Sequence, residues 1–346
     1  MLKKLFFYSW FLVFWVSCAQ NKTNNEMKLL SKQEIIDSVT AQVKHYPKEP
    51  MYYLRINQLN CIYKVLVNDE VVAKNYSLMQ YASATEINRA ILKSGPQTVT
   101  YRLYPVGDLV KEEIGEGDTI TTLLNSTEIS IDVIRVDDIN TYESITDDEK
   151  LVVKHQSKKN KETGNFIGAG LPYYEYTFTF NAQVPYEIEG WTNGIDLRKL
   201  DQKKLEHAVL DEYKKIQEIY KKNEVEKKMN KEYHLLSRLA VTEYRNKQYI
   251  KELYEELASF KNYDDKEFYP IENYEVKYSG NGRIISLRFP TILNNPDLDK
   301  RLAGKSASWY KYYVNKEWKG VRFASINLSI PKDKHKEGEF NFEFAR

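Results

Sequence analysis

Cysteine is nearly absent. Two residues, Cys18 and Cys61, stand in a chain of 346, too few for a disulfide framework. Neither cysteine nor histidine recurs at the spacing of a metal site, and no H-E-x-x-H occurs. The G-x-S-x-G elbow of serine hydrolases is missing as well. Gly304-Lys305-Ser306 lacks the upstream glycine of a phosphate loop, and Gly280-Asn281-Gly282 lacks the third glycine of a dinucleotide fingerprint. Asp137-Asp138 and Asp147-Asp148-Glu149 are adjacent acids; the first pair has the makings of a weak calcium ligand set, but solvated turns explain both. No catalytic signature, cofactor or metal site is expected.

Long hydrophobic runs are lacking too. Leu5–Val16 is free of charge for twelve residues, whereas a transmembrane helix needs roughly 20. Preceded by Lys3 and Lys4, it has the form of a signal-peptide core. Charge of one sign is also absent. Without residues 1–17 the basic residues fall from 51 to 49, against 49 acidic ones. A neutral chain argues against nucleic-acid binding, which needs a clustered basic footprint, and against a polybasic membrane surface.

The stretch Val16-Ser17-Cys18 resembles the lipobox of bacterial lipoproteins, with Trp15 where a leucine-like residue is usual. The resemblance covers about four residues of the leader. It implies that Cys18 is lipidated and becomes the first residue of an exported chain held by three acyl chains, which satisfies the need for more than one. Ala19 in place of an acidic residue then implies the outer membrane of a Gram-negative envelope. Cleavage after Ala19 is the competing reading, since Ser17 and Ala19 are both small. With Cys18 lipidated, Cys61 has no partner and reads as a small buried residue.

Four segments follow from the patterning: a signal peptide at 1–17, a tether and lead-in at 18–49 whose residues 19–26 are polar, a strand region at 50–194, and a helical and mixed region at 195–346. From 50 to 190 the apolar period is two. Val99, Tyr101 and Leu103 share one face, as do Ile129, Ile131 and Val133, and Tyr174, Tyr176, Phe178 and Phe180. Asn68-Asp69 predicts a hairpin turn. Short one-faced strands of this kind predict an antiparallel β-sandwich. Residues 154–170 read as a mobile, lysine-rich loop that leaves His155 solvated; His335 reads likewise.

From Ile195 to Phe260 there is neither proline nor glycine. Three stripes at helical spacing, led by Leu205, Met229 and Ile250, predict an antiparallel helical hairpin with breaks near 222–230 and Asn246. Strand patterning returns from 270 and predicts a small α+β unit, so the chain as a whole is α+β.

What the sequence has in abundance is tyrosine, 27 residues, which serves strands and partner surfaces alike. Trp191 and the run Trp309, Tyr310, Tyr312, Tyr313, with Trp318, are the candidate recognition residues, although on a strand half of such a set must face the core. The expected function is a non-enzymatic envelope lipoprotein that binds a protein partner, toxin neutralisation being one form of that role. The alternative is a glycan or peptidoglycan binding module, or a glycosidase, which would need two facing carboxylates.

Overall fold

A computed structural model describes residues 29–80, 84–141, 144, 148–290 and 302–345. The segment read as a leader, Cys18, the polar stretch 19–26 and Asp147 lie outside the described residues, as do residues 291–301. The fold is mixed α+β, with four antiparallel sheets and six α-helices among the described residues.

Two four-stranded sheets carry the N-terminal half. One has the order β4-β1-β6-β7, made of β1 (Met51–Leu59), β4 (Thr85–Glu86), β6 (Glu128–Val136) and β7 (Glu149–Gln156). The other runs β3-β2-β5-β8, from β2 (Ile62–Val67), β3 (Glu70–Asn75), β5 (Gly95–Tyr104) and β8 (Tyr174–Ala182). The period-two residues of both sheets enter one core, with Leu54, Ile131 and Val133 from the first and Val65, Val99 and Tyr101 from the second. The predicted turn joins β2 to β3, with Asn68 and Asp69 at φ of 51° and 64°. Two left-handed residues match the twist of a two-residue hairpin, which is why Asn and Asp stand there.

The segment read as a mobile loop is only partly a loop. Lys154–Gln156 complete β7, and Phe166 is buried beside Tyr174 with ring centroids 4.9 Å apart. His155 is therefore not solvated: its ring stacks on Phe178 at 4.3 Å. Alternation along β7 turns that side chain inward, whatever the charge of its neighbours. The acidic stretch before it in the chain forms a short exposed helix, α2 (Leu109–Ile114).

The helical region breaks where expected but is not a hairpin. It comprises α3 (Gln202–Lys221), α4 (Val225–Lys231), α5 (Tyr233–Thr242) and α6 (Lys247–Leu257). The first break falls at Asn223, left-handed at φ 55°, and Asn246 caps α6 by accepting from Tyr249 N at 2.9 Å. The stripes then part company. Leu205, Val209, Tyr213 and Ile216 of α3 share a core with Ile285, Leu287, Ile326 and Leu328. Met229, Leu236, Ala240, Ile250 and Tyr254 instead pack on Ile35, Ile36 and Val39. Those three belong to α1 (Lys32–Gln42), a helix inside the presumed lead-in, started by a capping box of Ser31 and Glu34.

The C-terminal strands form two further sheets. One has the order β10-β11-β14-β15, from β10 (Glu275–Ser279), β11 (Ile284–Arg288), β14 (Leu328–Ser329) and β15 (Glu343–Phe344). Its β10–β11 turn is tied to the β2–β3 turn, Asn281 N donating to Asp69 Oδ2 at 2.8 Å. The other sheet has three strands in the order β13-β12-β9: β9 (Asp265–Phe268), β12 (Trp309–Val314) and β13 (Glu317–Phe323).

Candidate aromatic surface

The three-stranded sheet gathers five of the six candidate recognition residues and divides them by parity. On β12, Trp309, Lys311 and Tyr313 point one way, Tyr310 and Tyr312 the other. The first set makes an outward face. Trp309 stacks on Tyr269 with centroids 3.8 Å apart and planes 7° from parallel, and Phe323 follows at 6.2 Å and 22°. Lys311 Nζ lies 5.1 Å from the Tyr269 ring centroid, and a hydrogen bond with that tyrosine holds its ammonium above the ordinary lysine range. The Tyr313 hydroxyl donates to Glu267 at 3.1 Å. Trp318 is 60% exposed, and Val321 beside it is exposed as well.

The second set faces inward. Tyr310 is buried, 4.6 Å from Phe268, and burial raises its phenol above the usual range. Tyr312 lies 4.3 Å from Tyr263. These two tyrosines help to hold the sheet on the helices rather than offer it to a partner. Trp191 is elsewhere altogether. It is buried at 4% in the turn Gly190–Asn193, with the Arg238 guanidinium 5.0 Å from its ring. A flanking Gly-x-x-x-Gly pattern gives no clue to burial, which is why Trp191 looked available; Tyr310 and Tyr312 are lost from the surface through strand alternation. Tyr269 and Phe323 were missed. Tyr269 follows a four-residue charged strand with almost no patterning, and Phe323 shows its place only through the register Trp309↔Phe323.

The sheet ends on β13, which pairs only with β12 in its sheet. Lys319, Arg322 and a β-bulge between Tyr312 and Tyr313 mark this edge. Charges and bulges discourage an edge from pairing with another chain, so the face is the better-formed surface.

Other candidate chemistry is accounted for locally. Cys61 is 1% exposed, and burial pushes its thiol up to about 12, leaving it inert. Asp137 is bound by Lys150 and by Arg135 at 2.6 Å, so it serves an ion-pair cluster and not a calcium site. Among the described residues no group of three His, Cys, Asp or Glu side chains could hold a metal. His207 of α3 and His234 of α5 lie 3.5 Å and 3.7 Å from Asp211 and Glu343.

One carboxyl pair is unusual. Burial, and then the neighbouring Glu243, push Glu86 up to about 8. Arg245 bridges the two, 2.9 Å from Glu243 and 3.6 Å from Glu86. The two acids share one arginine and act on each other's charge, whereas glycosidase carboxylates face each other across roughly 5–10 Å. Neither lines the cleft of about 430 Å³ beside Trp191 or the cleft of about 560 Å³ beside Tyr310.

Comparison with family models, with curated proteins and with solved structures found no match, so geometry alone bears on this surface.

Proposed function

We propose that this protein is a non-enzymatic lipoprotein of the cell envelope, anchored through Cys18, that binds a protein partner on the outward face of its three-stranded sheet. In this reading the two N-terminal sheets form a β-sandwich that serves as scaffold, and the outer membrane is the site of anchorage. Neutralising an incoming toxin in the periplasm is one role such a protein would serve.

The observation that carries the proposal is the form of the aromatic face. Trp309 and Tyr269 stack ring on ring, so each covers one flat side of the other. A sugar site needs a ring's flat side open to the ligand. Here the rings stand as ribs beside exposed Trp318 and Val321, the mixed aromatic and aliphatic relief that protein interfaces favour. Glycan binding is accordingly the second reading.

The test is affinity capture from envelope and secreted extracts, with the purified protein and its Trp318→Ala/Val321→Lys variant run side by side. A near-stoichiometric protein held by the first and lost by the second supports the proposal. Equal capture by both, or retention of isolated peptidoglycan alone, overturns it. Anchoring is tested separately: Cys18→Ala should leave the membrane fraction or fail to mature, and unchanged fractionation removes the anchor from the proposal.

A further inference from the structure

The inward face of the same sheet closes a cleft of about 560 Å³ against the β2–β3 hairpin and the helices, a size suited to a small molecule. Positive charge enters its walls from every side. Lys64 and Lys74 come from the hairpin, Arg89 from the turn Asn88–Ala90, and Arg288 and Arg322 from the C-terminal sheets. The helices add Lys228 and Arg238. Among the described residues only two carboxylates line the cleft, Glu232 and Glu256. Glu232 is occupied by Lys228 at 2.5 Å, both side chains being buried.

Arg288 donates to Asn327 Oδ1 at 2.9 Å and to Ser286 Oγ at 3.1 Å, and Arg89 donates to the Val72 carbonyl at 3.4 Å. Arg322 stands 5.6 Å from the Tyr312 ring centroid. The excess of cations is a property of the walls as a set, whatever bonds the individual side chains make within the chain. Burial first, and then the nearby Arg102, Arg288, Lys277 and Lys74, push the Lys64 ammonium down to about 7. Like charges gathered at a concave, partly desolvated surface focus their field on the space between them.

The remaining wall is apolar and aromatic, with Val72, Leu239, Phe260 and Tyr310. We infer that this cleft binds a small organic molecule bearing two or more phosphate groups on a compact body. The guanidinium fork matches phosphate oxygens two at a time, and the rings and aliphatic side chains provide contact for the body of the ligand. A nucleic-acid strand needs an extended basic track, whereas this charge is concentrated in one concavity. The phosphates could belong to a soluble metabolite or to a lipid headgroup, which share this chemistry. The inference uses the inward face of the sheet, meeting the partner surface only at Phe323, which also lines the cleft, and does not depend on that surface.

The test is titration calorimetry of the purified full chain with fructose 1,6-bisphosphate, alongside sedimentation with vesicles containing phosphatidylinositol 4,5-bisphosphate and phosphatidylcholine controls. Lys74 and Arg322 are both exposed, so the Lys74→Ala/Arg322→Ala variant should keep its fold, as circular dichroism would verify. Saturable binding of fructose 1,6-bisphosphate or of the phosphatidylinositol 4,5-bisphosphate vesicles, weakened at least tenfold in this variant but unchanged in Lys319→Ala, is the expected result. Which probe binds identifies the source of the phosphate. Binding of neither probe, or binding that all variants share, overturns the inference.

Discussion

The two N-terminal sheets and the three-stranded sheet use aromatic residues to opposite ends. In the first, Tyr52 and Tyr101 are fully buried and the rings of β8 cover the core edge. In the second, half-buried Trp309, Tyr269 and Phe323 and exposed Trp318 make up the outward face. The residue types and the alternation are the same. What differs is enclosure: the rings of the two N-terminal sheets enter one shared buried core, whereas among the described residues the outward face of the small sheet includes exposed Trp318 and Val321. An abundance of tyrosine therefore does not mark a binding protein, and an aromatic strand marks a surface only where one face has nothing packed on it.

The contrast is broken most forcefully from the buried side. Tyr101→Ala should cost about 3–5 kcal/mol, the range for deleting a large buried ring, read as a lower midpoint in denaturant unfolding. A loss under about 1 kcal/mol would mean that Tyr101 is no better enclosed than the outward aromatics.

Next comes the pH dependence that burial creates at Glu86. Its folded-state pKa of about 8 lies above the ordinary 4.5, so the folded chain binds a proton that the unfolded chain has released. This contribution is complete below about 4.5 and is lost as pH rises through about 8. Glu86→Gln, which keeps the neutral form, should flatten the fall in stability across that window and gain most over the parent at its alkaline end. Parallel stability curves for parent and variant would refute the assignment.

On the outward face the effects shrink. Trp309→Ala removes a stacked partner from Tyr269 and should cost about 1 kcal/mol beyond its area, measured by thermal unfolding. Trp318→Ala should change stability by no more than about 0.5 kcal/mol, so that lost partner capture in such a variant reports on recognition and not on folding. A large loss of stability there would move Trp318 to the structural side of the comparison.

Much of the strand architecture is legible in the sequence because alternation says which face is buried. Val99, Tyr101 and Leu103 declare themselves, and Asn68-Asp69 declares its turn. Periodicity does not say what covers the buried face, and the helical hairpin failed for that reason. Leu205 and Met229 head equally regular stripes, yet the first packs on a sheet and the second on α1. The α1 helix itself had readable signals in Ser31, Glu34 and the Ile35-Ile36-Val39 stripe, but a short segment between a leader and a strand was passed over. The candidate surface was legible as a cluster, and parity warned that half would be hidden. Tyr269 and Phe323 could be found only once the register was known. The cationic cleft had no sequence signature at all, since hairpin, turn, helices and two sheets each contribute one or two charges.

The docking of α1 also settles how the chain responds to load. Leu30 donates its backbone N–H to Asn230 Oδ1 at 2.9 Å and accepts from Asn230 Nδ2 at 2.8 Å. Tension arriving from residues before Leu30 meets this two-bond clasp and the α1 packing before it can reach β1. The helices thus act as a strain relief, and a pull on the N-terminal segment is spent on shearing one helix from its bed while the sheets keep their register.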